Sequence, residues 1–452
     1  MISHYKPVAK QCYKRVHHGH TMVKNTLLQD ILPGFQIVST AIVLAVSVQT
    51  WGVSAAEAVP TKEPDLNEAR KLLLNEETWT LYPIAQAKLG PGKDQAEWCE
   101  LAALASMARC INSTVIPPAE RAVKLAPNNA HILGTYALTL KDSPAYLKAV
   151  SIARSAVALA PRDGRAHAIL ATTLVRTGKN DEARKELALA IKLSPSDLDT
   201  EIICGKSYEE LFDEDEARAC YNRLVKDNPD IPRAWAKRAL FRMRFDDPEG
   251  AVSDWSKAIA LHPAMPLYAE RAGLLKNLHR NAEAASDYTY MIKHGADYDG
   301  TLGRATAYLD AKEYDKAVED FTHCIEAMTV AKQKGAWAMN AACPSDAYYF
   351  DLWSRKLDAL SKGGRDAQTV DVATLILKHH PETVKVRNMR QQSLIKLKRY
   401  AEALADLNIL IPIDPQIREW HVAKAEALQA LGKTSEAARE KQKAKEIEKT
   451  GF

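Results

Sequence analysis

Residues 232–263 read PRAWAKRALFRMRFDDPEGAVSDWSKAIALHP. In the second half Ala251, Trp255 and Ala258 stand at i, i+4 and i+7, which places them on one face of a helix. The alanine lets a neighbouring helix approach, and the tryptophan fills the space beside it. Pro263 follows just past the helix end, where a residue without an N–H cannot continue the ladder. A second small residue, Ala239, marks a preceding helix. The stretch reads as a helix pair.

The pair recurs. Pro127, Pro161, Pro195, Pro229 and Pro263 are 34 residues apart, and Pro381 and Pro415 show the same interval. The small–large–apolar triple returns as Ala183/Leu187/Ala190, Ala217/Tyr221/Leu224 and Ala403/Leu407/Leu410. Ala284/Tyr288/Met291 and Ala317/Phe321/Cys324 continue it at a 33-residue step without the proline. Ala137, Ala171 and Gly205 mark first helices as Ala239 does, and Thr177-Gly178-Lys179-Asn180-Asp181 supplies a turn between helices. Self-similarity at this period is the signature of a stacked repeat.

These residues resemble the tetratricopeptide repeat (TPR) family. The resemblance implies an all-α fold, an α-solenoid of stacked helix pairs forming a superhelix. The expected units start near 130, 164, 198, 232, 265 and 298, giving six over 130–331. Three more start near 350, 384 and 418, over 350–452. Residues 66–129 read as an irregular helical cap with one degenerate repeat, whose second helix Pro117-Pro118 should break early. Lys441 replaces the large apolar residue of the last unit, as suits a solvent-facing end cap. The 18 or so surplus residues of an insertion at 332–349 carry Trp337, Tyr348 and Tyr349, aromatics of the kind that anchor interfaces. The alternative is that they pack down to seal a broken stack.

Composition agrees with a helical chain and narrows its partners. The 452 residues carry 61 Lys+Arg against 57 Asp+Glu, a net +4, with 7% aromatic residues. That balance, and the lack of a basic-aromatic stripe, argue against nucleic acid as a partner. The first 58 residues read as a leader, followed by a linker at 59–65. Ile31 to Ala56 has no charged residue, and its densest apolar part is Ile37–Val48; Lys6, Lys10, Lys14, Arg15 and Lys24 precede it. A signal peptide cleaved near Ala55 or Ala58 fits this short apolar centre, and an uncleaved N-terminal transmembrane anchor is the alternative. Met22 is a candidate start. The expected location is therefore exported (periplasmic, extracellular or lumenal) or membrane-anchored, with membrane contact only through this segment.

A second regularity lies inside the units. Arg238 and Asp254, Arg271 and Asp287, Arg304 and Asp320, and Arg390 and Asp406 are each 16 residues apart at equivalent positions, and Lys424 and Glu440 repeat the arrangement. On antiparallel helices such residues face each other, so they read as intra-repeat salt bridges. Cys204 and Cys220 hold the same two positions in the unit at 198. In an oxidising compartment they are candidates for a disulfide in place of the ion pair.

No phosphate-binding glycine loop, HExxH or GxSxG occurs, and the repeats leave no segment for an enzyme domain. No catalytic residue, cofactor or metal site is expected; His17-His18-Gly19-His20 reads as part of the leader. In TPR proteins the first helix of each unit lines a concave groove that receives a peptide or partner helix. By that resemblance the groove candidates are Arg165, Asp199, Lys206, Glu209, Arg233, Met243, Lys276 and Asp299, with Trp337, Tyr348 and Tyr349 from the insertion. The Lys/Asn set with which some members bind chaperone tails is not present: the fifth positions are Ala168, Ile202, Ala236, Ala269 and Leu302, and the ninth Thr172, Lys206, Leu240, Gly273 and Thr306. The expected function is a non-catalytic protein-interaction scaffold. The alternative is an accessory or regulatory subunit of an envelope enzyme or secretion complex.

Overall fold

The computed structural model describes residues 64–89, 95–109, 115–245, 247–333 and 346–450. The chain divides into two units, Met1–Gln49 and Thr50–Phe452, and every described residue belongs to the second. The leader, Cys110, Trp337 and Cys343 lie outside the described residues, as do the side chains of 331–348, Tyr348 included. No helix among the described residues is long and apolar enough to cross a membrane.

These residues form 22 helices and no strand, in eleven consecutive pairs. The pairs are α1 (Leu66–Leu74) with α2 (Thr78–Ala87), α3 (Gln95–Ala108) with α4 (Ile116–Leu125), α5 (Ala130–Leu140) with α6 (Tyr146–Leu159), and α7 (Gly164–Arg176) with α8 (Asn180–Leu193). Next come α9 (Leu198–Leu211) with α10 (Glu214–Asp227), α11 (Pro232–Arg244) with α12 (Pro248–Leu261), α13 (Met265–Asn277) with α14 (Asn281–Lys293), and α15 (Asp297–Asp310) with α16 (Tyr314–Gln333). The last three are α17 (Asp346–Lys362) with α18 (Asp366–His379), α19 (Val384–Lys396) with α20 (Tyr400–Leu410), and α21 (Arg418–Ala430) with α22 (Thr434–Thr450).

Local chemistry sets the helix ends. Asn129, Asp163 and Asp197 cap α5, α7 and α9 by accepting backbone N–H bonds, one repeat apart. The turns from first to second helix pass through a left-handed residue: Gly178, Phe212, His279, Lys312, Gly364, Lys398 and Gly432. The next N–H then reaches back to a carbonyl one turn inside the first helix, as Asp213 N to Tyr208 O and Arg399 N to Leu394 O, closing orphan carbonyls. The expectation for Pro117-Pro118 is corrected. They open α4 rather than break it, because the first turn of a helix needs no N–H from them.

The alternating small and large residues make the core. Ala183, Leu187, Ala190, Ala217, Leu224, Ala251 and Ala258 are fully buried, with Trp255 at 1% exposure. Gly205 is small because Tyr221 crosses it: a Cβ there would lie 2.9 Å from the ring. At the far end Ala437, Ala444 and Ile447 of α22 are buried while Lys441 is exposed.

Buried carboxylates tie the helices of a pair together. Arg238 forks onto Asp254, with Nε to Oδ2 at 2.8 Å and Nη2 to Oδ1 at 2.7 Å. Arg271 on Asp287, Arg304 on Asp320 and Arg390 on Asp406 repeat the fork at 2.5–2.9 Å. Lys424 lies 3.4 Å from Glu440. The remaining arginine nitrogen reaches the preceding pair: Arg238 donates to Asn222, Arg271 to Ser256, Arg304 to Thr289 and Arg390 to Thr374. One turn earlier on the first helix a second donor uses the repeating prolines. Trp235 Nε1 donates to Pro229 O and Arg387 Nη2 to Pro381 O, and His167 Nε2 and His421 Nε2 lie 3.1 Å from Pro161 O and Pro415 O. The proline carbonyls therefore anchor the following helix besides marking the end of the previous one.

The expected Cys204–Cys220 disulfide is corrected: both thiols are free and buried. The ion pair of this unit is displaced by one turn and reversed in sign. Arg223 on the second helix forks onto Glu201, which is fully buried on the first, at 2.9 and 3.0 Å, and its Nη2 also donates to Cys220 Sγ. Burial pushes the Cys220 thiol up to about 12 and Cys204 well above its ordinary range. Both therefore stay protonated thiols near neutral pH rather than nucleophilic thiolates. The unit at 350 has Lys356 and Val372 at the two positions and no clamp.

Asp406 and Glu402 provide a matched contrast on α20. Asp406, 1% exposed, accepts from Arg387 and Arg390, whereas Glu402 pairs with Arg399 in solvent. Asp406→Ala is expected to destabilise its pair by about 3–5 kcal/mol, and Glu402→Ala to leave the unfolding midpoint essentially unchanged. Thermal and urea unfolding of the two variants check this.

Candidate protein-interaction surface

The first helices α5, α7, α9 and α11 follow one another, and their polar side chains meet across the joins. Arg165 Nη1 donates to His131 O at 3.2 Å and Nη2 to Thr135 Oγ1 at 2.9 Å. Thr135 in turn donates to Glu100 at 2.5 Å, and His131 Nε2 lies 3.3 Å from the same carboxylate. Further along, Arg233 Nη1 is 3.3 Å from Asp199. Towards the other end of these helices Lys141 pairs with Glu210, and Thr172 bonds Ser207. Glu209 accepts from Arg244 at 2.9 Å and from Tyr221 at 2.5 Å.

The network divides the residues picked out by the resemblance. Arg165, Asp199, Glu209 and Arg233 are held by neighbours on the same surface. Lys206 and Met243 are exposed, while Lys276 and Asp299 are half-buried. Lys206, Lys276 and Asp299 make no ion pair with any described residue. Tyr349 turns into the stack: its hydroxyl lies 3.1 Å from Thr329 Oγ1 and its ring meets Trp353 edge-on. Trp337 and the Tyr348 side chain lie outside the described residues.

The open groups are electrostatically unsettled. Crowding by neighbouring side chains, then the nearby Lys141, lowers the Lys206 ammonium from its ordinary range, although the side chain still reaches solvent. Loss of water does the same for Lys276, with Arg355 adding to it and Asp310 opposing. Burial alone raises Asp299 to about 6. Glu270 is raised by crowding and by Glu76, against Lys237 and Arg244, although it too reaches solvent. Lys276 and Asp299, half-buried and without an ion pair among the described residues, are the charged groups here that gain most from a partner supplying the opposite charge.

The sequence reading missed the far wall of this surface. Glu76, in the turn between α1 and α2, lies 3.0 Å from Lys237 Nζ and 3.8 Å from Arg233 Nε, both on α11. Glu77 lies 2.7 Å from His262 Nε2, in the loop before α13. The first pair thus touches the sixth, so the first-helix face bends inward between them. Two adjacent glutamates in a short turn carry no signal of a partner more than 150 residues away.

Residues 145–197 and 205–266 match the family model described as tetratricopeptide repeat. These two stretches carry tetratricopeptide repeats. Among solved structures it is similar to the TPR domain of P58(IPK), at 15% identity over 75% of this chain and 99% of that one, with a TM-score of 0.23. It is also similar to TTC0263, a thermophilic TPR protein of Thermus thermophilus, at 19% identity, 40% and 98% coverage and a TM-score of 0.34. For PilF of Pseudomonas aeruginosa the values are 18% identity, 43% and 89% coverage and 0.35. No curated protein matches the chain. TPR repeats bind protein partners.

Asp299 gives a pH test. Its folded carboxyl is raised from 3.8 to about 6, so the fold disfavours the charged form. The penalty is absent below about pH 4, grows as pH rises through about 6 and is complete above it. Asp299→Asn is expected to stabilise the chain by about 1 kcal/mol at pH 7.5, after discounting for solvent, and by nothing at pH 4. Melting curves across that range check it.

Proposed function

We propose that the chain is a non-catalytic scaffold whose TPR solenoid receives a peptide or partner helix on the inward face of its first helices, from α9 to α15. The observation that carries this is the contrast along one surface. Most of its charges are paired across adjacent helices, while Lys206, Lys276 and Asp299 make no ion pair among the described residues and Met243 is exposed. Such groups offer a partner both charge and apolar contact, and the rigid stack holds them in place without ordering cost. The uncharged run 31–56 supports delivery of this scaffold across or onto a membrane, by a signal peptide or an anchor.

Site-specific photocrosslinking tests the surface. A benzoylphenylalanine placed at Lys206 or Met243 is expected to trap a partner in the producing cell, while one at Leu147, exposed on the second helix α6, traps none. Lys206→Glu with Lys276→Glu is expected to cut the trapped fraction about tenfold with the fold intact by circular dichroism. Equal trapping at Leu147, or trapping indifferent to the charge reversals, contradicts the placement. A single stoichiometric enzyme in the crosslink makes the chain an accessory subunit; several unrelated proteins make it an adaptor.

A further inference from the structure

The inward face is already occupied in part by the chain's own α1–α2 turn, and that contact has the character of a replaceable ligand. Glu76 sits on Lys237 and Arg233 by charge, and Glu77 lies 2.7 Å from His262 Nε2. Ala69, Leu81 and Ala85 of the α1–α2 pair form a core with Trp98, Leu101 and Ala102 of α3, while Trp79 and Thr80 line a small cleft with His262, Met265, Pro266 and Tyr290. Glu76 and Glu77 themselves add no apolar side chain to the contact, so the two carboxylates are the part of it that a competing acidic segment can replace. The fit is also incomplete. Glu76 Oε1 is buried and has no well-aligned hydrogen bond, so it is held by the nearby ammonium and guanidinium charges alone. Lys237 and His262 make no other ion pair among the described residues, so withdrawal of the turn leaves both unmatched. Asp199, 3.3 Å from Arg233, and Glu270 border the seat and set its limits.

We propose that Lys237, Arg233 and His262 form the seat for an acidic segment of the partner, and that Glu76-Glu77 is a built-in occupant which that segment displaces. The inference rests on the scaffold reading and names the chemistry of its ligand: an extended or turn segment with adjacent carboxylates. Occupancy by the turn lowers the apparent affinity for a competing ligand by the fraction of open molecules, so a seat closed nine times in ten costs about tenfold.

The test uses the full chain, a fluorescein-labelled hexaglutamate peptide and fluorescence anisotropy at low salt, where such pairs are least screened. Glu76→Gln with Glu77→Gln is expected to tighten binding about tenfold over the unaltered protein. Adding Lys237→Gln should abolish the gain, whereas adding Lys185→Gln, on the exposed side of the second helix α8, which changes net charge equally, should keep it. No gain in the double variant overturns the proposal. So does a gain that survives Lys237→Gln, or one that Lys185→Gln removes as completely, because either marks a general charge effect. If hexaglutamate fails but crosslinking at Lys206 and Met243 stays position-specific, the acidic seat falls and the scaffold reading stands; the reverse pattern removes the scaffold reading instead.

Discussion

A carboxylate buried between two helices must be met by charge, and the stack is arranged around that demand. Asp254, Asp287 and Asp406 are each less than 5% exposed at the same position of their second helices. Each is answered by a forked arginine from its own first helix, whose last nitrogen bonds the pair before it. One side chain thus fixes how two helices lie within a unit and how that unit sits on its neighbour. A guanidinium can do both because its donors are rigid and point in different directions, which a lysine ammonium does not reproduce. Lys424 accordingly reaches Glu440 at one longer contact, with His421 at 2.6 Å supplying the rest.

The registering arginines spend their donors inside the stack, so the polar residues on the inward turns of the first helices are free of that duty. Some of them link successive first helices, as Arg233 does with Asp199, and stiffen the surface. Others, Lys206 and Asp299 among them, stay unmatched. The α1–α2 turn adds a third class, charges matched only by a remote part of the same chain. A solenoid contacts mainly its neighbours, so a link between the first and sixth pairs falls outside the pattern that builds the rest.

Much of this was legible in the sequence because repeats encode their contacts locally. The Ala251/Trp255/Ala258 triple states the helical face, and the 16-residue spacing of Arg238 and Asp254 states that two helices run antiparallel. Other features were not legible, for specific reasons. The spacing of Cys204 and Cys220 locates two neighbouring thiols but is silent on Arg223, whose pairing with Glu201 supplies the unit's ion pair and holds Cys220 as a free thiol. Pro117-Pro118 looks like a break until the helix start is known, since the same ring stops one helix and opens another. Tyr349 reads as an interface anchor by residue type, yet its position on α17 turns it onto Trp353. The contact of Glu76 with Lys237 depends on the accumulated curvature of five pairs, which no single repeat contains.

The most direct test of the central claim is a double-mutant cycle on one clamp, Arg271→Ala and Asp287→Ala, read as the local opening free energy of α13 and α14 by native-state hydrogen exchange. If buried arginine–aspartate forks hold the pairs in register, the two substitutions are coupled by more than about 1.5 kcal/mol. Additivity within about 0.5 kcal/mol would contradict it and leave the register to apolar packing alone.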